Sequence, residues 1–222
     1  MAVEVNKLRA DITDTRNSID QMILNANQDI DGKGPALDTA QTTLGNDFIP
    51  IEAQCIDVIN TLYEWYEATS IPELGALLTA AEDTKTNTCD AGKAAIEGVI
   101  QDARTDLQTA EGNIATILSI LSQVDGIIAG YETITDIPTL QSYLEQITPL
   151  HNQAEGIKGD IDTLVTGIEN IITNVPRMTV EIPRKASSFK PPAAIAKVPP
   201  IIGMAVFFAE FSISLSPELA LT

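Results

Sequence analysis

Basic residues are scarce: 13 Lys and Arg stand against 31 Asp and Glu, for a formal net charge of −18. So acidic a chain cannot neutralise a run of phosphates, which excludes DNA and RNA as partners. Histidine occurs once, at His151, and cysteine twice, at Cys55 and Cys89, too few for a four-ligand zinc site. No Ser, Asp or Cys stands at a motif spacing from His151, so a nucleophilic triad is unsupported. Glycine-rich phosphate loops are missing, which removes nucleotide enzymes. Long hydrophobic runs are missing too. The most apolar stretch, Ile201–Leu215, is 15 residues long, contains Glu210 and is bounded by Pro199, Pro200 and Pro217. A spanning helix needs about 20 apolar residues, so an ordinary membrane anchor is not expected. Met1 to Asp11 has no apolar core of a signal peptide, so none is expected in this chain. The composition points to a protein that is not an enzyme and carries no cofactor.

What the sequence has in quantity is apolar periodicity, in a chain that is 44% hydrophobic. Through residue 176 the apolar positions recur at steps of three and four, the stripe of an amphipathic helix. Helix 1, about residues 4 to 30, carries Val5, Leu8, Ile12, Thr15, Ile19, Met22 and Ala26, and ends at Asp31, Gly32, Gly34 and Pro35. A second run from Leu37 through Leu44, Phe48, Ile51, Cys55, Val58, Leu62 and Trp65 reaches about residue 69, with Pro50 expected to kink or restart it. Ser70-Ile71-Pro72-Glu73 has the spacing of a capping box and opens helix 3. Ile96, Ile100, Ala103, Leu107, Ala110, Ile114, Ile117, Leu121, Val124, Ile128 and Tyr131 alternate steps of four and three without error. Asp136-Ile137-Pro138 opens helix 4, which repeats the pattern from Leu140 to Val175 and is expected to bend at Pro149 and stop at Pro176.

Uninterrupted, the stretch from Glu73 to Tyr131 would span roughly 88 Å. Either the molecule is a rod or helix 3 breaks, and the weak stretch Thr84 to Gly92 is where a break is expected. Short connections near 32–35, 70–72 and 132–136 predict antiparallel neighbours. The expected fold is mainly α, an elongated up-down bundle of four long helices over residues 1–176, with a strand-forming tail over 177–222.

Cys55 and Cys89 each lie 17 residues from Pro72. If the chain folds back at 70–72 they stand level, and a disulfide would staple the hairpin, implying an oxidising compartment. Two buried, reduced thiols are the other reading. Asn27-x-Asp29-x-Asp31-Gly32-x5-Asp38 resembles the EF-hand calcium loop, with oxygen ligands at positions 1, 3, 5 and 12 and glycine at 6. The resemblance implies calcium held by Asn27, Asp29, Asp31 and Asp38. A solvated turn built on Asp-Gly and Gly-Pro accounts for the same residues. Glu64 with Glu67, and Asp102 with Asp106, read as solvated helix faces. Tyr63, Trp65 and Tyr66 form the one aromatic cluster of the helical part.

Beyond residue 176 the charge inverts: the body holds 8 Lys and Arg against 28 Asp and Glu, the tail 5 against 3. Period-two alternation appears at Met178, Val180 and Ile182, and again at Ala205, Phe207, Ala209, Phe211, Ile213 and Leu215. Pro183, Pro191-Pro192 and Pro199-Pro200 keep the chain between them extended. A long apolar strand with no sheet of its own is a template for pairing with another copy. Arg177, Arg184, Lys185, Lys190 and Lys197 would meet the acidic body of a neighbour. The expected function is a self-assembling structural subunit of a filament, tube or sheath, located outside the cell or on its surface. The alternative is a membrane-acting helical protein, such as a pore-forming toxin component, that releases an apolar hairpin into lipid. A tail folded back onto its own body is the third possibility.

Overall fold

The computed structural model describes residues 2–186, with side chains through residue 178. Its elements are α1 (Ala2–Ile30), α2 (Lys33–Thr69), α3 (Pro72–Thr84), a π-helical turn (Lys85–Asp90), α4 (Ala91–Ile127), a short 3-10 turn (Tyr131–Thr133) and α5 (Ile137–Ala186). The described residues are thus long helices, with no strand among them. They divide into two compact units, one of residues 2–38 and 101–172, the other of 39–100 and 173–186.

The first unit is where heptad patterning translates most directly into packing. On α1, Val5, Ile12, Ile19 and Ala26 stand seven apart and are buried, with Ile23 beside them. On α5, Leu140, Ile147, Ala154, Ile161 and Ile168 repeat the same step and are each completely buried. Ala110, Ile114, Ile117, Leu121 and Val124 of α4, with Ile128 just after it, close the core, joined by Ile120, which lies off the strict stripe. A seam repeating every seven residues drifts only slowly around a helix, so one face can stay buried over many turns.

Polar contacts at the edges of this core fix the helix directions. Arg9 donates to the Ile134 carbonyl at 2.6 Å, Thr13 and the Tyr131 hydroxyl share a 2.6 Å hydrogen bond, and Arg16 pairs with Asp125 at 3.0 Å. Further along, Gly34 lies beside Leu107, and Arg104 pairs with Asp38 at 2.7 Å. As the first partner's number rises, the second falls, so α1 and the start of α2 both run antiparallel to the same helix, α4. Against α5 the numbers rise together: Ser18 with His151, Asp29 with Lys158, Lys33 with Glu169.

The expected reversal near 32–35 is therefore corrected. The joint at Asp31-Gly32 redirects the helix without turning it back. The Asp31 N–H still donates to the Asn27 carbonyl at 3.1 Å and the Ala36 N–H to the Gly32 carbonyl at 3.0 Å. Gly32 takes φ +72°, the left-handed backbone that glycine adopts without strain. Helical backbone resumes at Lys33 directly after Gly32, so no extended residue is left to turn the chain back.

The other two connections do reverse. At 130–136, Gly130 takes φ +78° and the Asp136 carboxylate accepts from the Thr139 N–H at 3.1 Å, capping α5 as its sequence predicts. Adding a methyl at Gly130 meets nothing within 4 Å, so Gly130→Ala should cost only the left-handed backbone strain, about 1 kcal/mol, read as a lowered urea midpoint. At 70–72 the expected capping box does not form. Ser70 itself adopts φ 53°, its N–H bonded to the Tyr66 carbonyl at 2.7 Å, and Ile71 stands at the N-cap with no side-chain cap and Pro72 after it. The similar sequences before α3 and α5 thus use different turn chemistry.

The second unit is built on that hairpin. Leu62, Leu74 and Leu77 are buried in it, flanked by Val58, Trp65, Ile71, Leu78 and Ala81. Phe48 is buried with Lys93 5.9 Å from its ring centroid. The break expected between Thr84 and Gly92 is absent: Thr84, Lys85 and Ala91 all keep right-handed helical backbone, and a π turn occupies Lys85–Asp90. The reason lies in the register of buried residues. Leu74 to Cys89 is one residue longer than two heptads, whereas Cys89, Ile96, Ala103, Ala110, Ile117 and Val124 keep a strict step of seven and are all buried. A π turn takes up one extra residue without ending the helix, and so brings two misphased stripes onto one face.

Proline proves a poor guide to helix ends here. Pro50 lies inside α2, and α5 passes through Pro149, Pro176 and Pro183. Residues 177–186 are helical, so the strand expected from Met178, Val180 and Ile182 is not adopted. Met178 and Ile182, with Val175, also fit steps of three and four, and Val175 is completely buried. Burial of Val175 beside Pro176 offsets part of the lost N–H bond and ring clash that proline brings to an isolated helix. The second expected strand, from Ala205 to Leu215, lies outside the described residues.

Candidate functional site

Chemistry concentrates at the π turn. Its sequence, Lys-Thr-Asn-Thr-Cys-Asp, contains residues that hold an α-helix weakly, which lowers the cost of widening it locally. Cys89 projects from this turn into the hairpin and is 2% exposed. Cys55 on α2 is half-buried, and the two sulfurs approach to 3.4 Å as free thiols. The equidistance of both cysteines from Pro72 therefore predicted their meeting. The bond itself is not formed in this structure. Burial, with the neighbouring Cys55 thiol, pushes the Cys89 pKa up from 9.0 to about 12. Lys85 pairs with Asp90 at 2.7 Å across the same turn, and that hydrogen bond raises its pKa.

A close dithiol can be oxidised to a disulfide or engage a thiophilic reagent through both sulfurs. Its chemistry is limited by access through Cys55, because a thiol held protonated is a poor nucleophile.

The candidate calcium ligands are placed differently. Asn27 and Asp29 lie within α1, Asp31 at the joint and Asp38 within α2. The Asn27 amide donates to the Ile23 carbonyl at 2.8 Å, Lys158 pairs with Asp29 at 3.0 Å, and Arg104 pairs with Asp38 at 2.7 Å. Lys158 also holds Asp162; burial lowers its pKa, but the two carboxylates outweigh that and the pKa is raised. A calcium loop needs its ligands converging on one point; here Asp29 and Asp38 face basic side chains and the Asn27 amide is bonded to its own helix. Among the described residues no group of three or more His, Cys, Asp or Glu could hold a metal.

No family model, curated protein or solved structure matches this chain. Function must therefore be read from the molecule's own surfaces.

His151 is half-buried with its Nε2 3.0 Å from the Ser18 hydroxyl, a structural pairing between α5 and α1. Trp65 is half-buried against the hairpin core while Tyr63 and Tyr66 are exposed. Of the expected assembly residues, Arg184 and Lys185 fall on the last turn of α5. Lys190, Lys197, Ala205, Phe207, Phe211, Ile213 and Leu215 lie outside the described residues.

A feature that the sequence pattern left unremarked is a second apolar row on α2. Ile49, Ile56 and Tyr63 stand seven apart and are 66%, 41% and 53% exposed. The buried row of the same helix, Leu44, Phe48 and Leu62, masked it in the sequence because both rows satisfy heptad spacing. In the first unit the exposed large hydrophobics, Val3, Leu24 and Leu118, form no such series.

Proposed function

We propose that this protein is a structural, self-assembling subunit of a filament, tube or sheath, in which an acidic helical body is linked to its neighbours by the C-terminal tail. The observation that carries this reading is the unmatched apolar face Ala205, Phe207, Ala209, Phe211, Ile213 and Leu215, in a chain whose described residues offer it no strand. An apolar alternating segment needs a partner surface, and association supplies one. The helical body acts as the building block and the tail as an extended, strand-forming connector. A contact between two unlike surfaces propagates rather than closes. The protein works without catalysis or cofactor, as a homo-oligomer outside the cell or on its surface. A chain ending at Ala186 is expected to remain helical by circular dichroism and to sediment as a monomer. Assembly of that truncation equal to the full chain's would refute the connector role.

One observation favours a second reading, a membrane-acting protein of the pore-forming kind. The helical stretch Pro72–Thr133 contains an 18-residue window of mean hydropathy 1.5, of which 33% is buried, long and apolar enough to cross a membrane by length and composition. Dye release from liposomes at micromolar protein supports it; fibres formed without lipid support the first.

A further inference from the structure

We propose that the outward row of α2, Ile49, Ile56 and Tyr63, is the docking site for the C-terminal tail of a second copy of this chain. The inference rests on the connector reading above and adds the surface that receives the connector. Three observations meet here.

The first is the row itself. A helix presents residues seven apart on nearly the same side, and all three are exposed large hydrophobic side chains. Half-buried Ile59 lies three residues from Ile56 and widens the row. Rows of this kind form the seam of helix pairs, and on α2 the seam faces outward.

The second is charge. From residue 34 to residue 84 there are nine Asp and Glu and no Lys or Arg. Glu52, Asp57, Glu64 and Glu67 lie along the row and are exposed. The chain that leads to the apolar tail has the opposite character: Arg184, Lys185, Lys190 and Lys197 occur between residues 184 and 197 with no acid among them. Complementary rims steer encounter and set register more than they add affinity.

The third is dimension. The α carbons of Ile49 and Tyr63 are about 21 Å apart along a helix axis. An extended chain covers about 20 Å from Phe207 to Ile213, so alternate apolar side chains match the length of the row. Thirty-six residues follow Ala186. The 14 between Ala186 and Ile201 are proline-rich and can reach about 43 Å when extended, enough to reach a neighbouring molecule. Lying on a helix, such a segment keeps the edges of its backbone open to water, which answers its hydrogen-bonding requirement without a sheet.

The test uses two full-length variants. Ile56→Asp with Tyr63→Glu disables the receiving row, and Phe207→Asp with Phe211→Asp disables the tail. The four positions are exposed or lie outside the described residues, and helicity by circular dichroism checks folding. In sedimentation velocity at tens of micromolar, wild type is expected to run as oligomers and each variant as a monomer. An equimolar mixture should form a one-to-one dimer and nothing larger, because only one good row and one good tail remain between the two chains. Should the row variant lose helicity, Asp57→Lys with Glu64→Lys alters only the rim and is expected to weaken assembly at least tenfold in the same assay. A row variant that assembles like wild type overturns the docking site and leaves the connector reading standing. A mixture that stays monomeric places the contact within one chain and overturns the second-copy assignment. Wild-type assembly that survives in the tail variant overturns the connector reading itself.

Discussion

Oxidation of the Cys55–Cys89 pair is expected to stabilise the protein by about 3 to 4 kcal/mol, the chain-entropy value for a bridge that closes a loop of some 33 residues. The sulfurs already stand 3.4 Å apart, so bond formation needs little movement of α2 or the π turn. With oxidised glutathione as oxidant, the thiolate of half-buried Cys55 attacks the reagent and releases one reduced glutathione. Cys89 then gives up its proton, attacks the mixed disulfide and releases the second. The protein loses two hydrogens and the glutathione disulfide gains them. Because the Cys89 pKa is pushed up to about 12, chiefly by burial, the second step should quicken as pH rises from 7 towards 9. A urea unfolding midpoint that does not move, in protein whose mass is lower by two hydrogens, would sink the expectation.

The same shift sets the alkaline behaviour of the reduced protein. The unfolded thiol ionises near its ordinary 9.0, while the folded one stays protonated until about 12. Between those limits the folded state binds more protons, so stability falls as pH rises and is fully present below 9. Cys89→Ser should flatten that portion of the stability profile.

The second large effect lies in the first unit. Ile147→Ala should cost about 3 to 4 kcal/mol, because the side chain is completely buried between helices and its removal adds an unfilled cavity to the lost transfer energy. Ile49→Ala is the matched control: at 66% exposure its effect on urea unfolding should stay within about 0.5 kcal/mol. Equal losses at the two positions would contradict the assignment of inner and outer faces. The control also separates stability from assembly, since Ile49 is placed in the receiving row and not in the core.

The inter-helix ion pairs carry less weight. Arg16 with Asp125, Lys33 with Glu169 and Arg104 with Asp38 are partly solvated, and such pairs contribute at most about 1 kcal/mol each. Their value lies in direction: they record which helices run parallel and which antiparallel, as apolar side chains alone do not. Asp29 and Asp38 illustrate how this bears on function. Spacing alone groups them as calcium ligands, but a carboxylate on a helix is oriented by its turn of that helix, and here each faces a basic side chain.

Local periodicity by itself determined the helices, their buried faces and the meeting of the two cysteines, because each depends on residues within a few turns of one another or on simple counting from a tight turn. The capping of α5 by Asp136 was legible for the same reason, a carboxylate three residues from the N–H it accepts. Whether a joint bends or reverses, whether a misphased stripe breaks a helix or widens it into a π turn, and whether proline ends a helix were decided by tertiary structure. At Asp31-Gly32, at Lys85–Asp90 and at Pro176 the local preferences are weak or adverse, and burial of the seam between long helices outweighs them. The outward row of α2 belongs to this class as well, since a heptad position has no inside until the neighbouring helices show which face they cover.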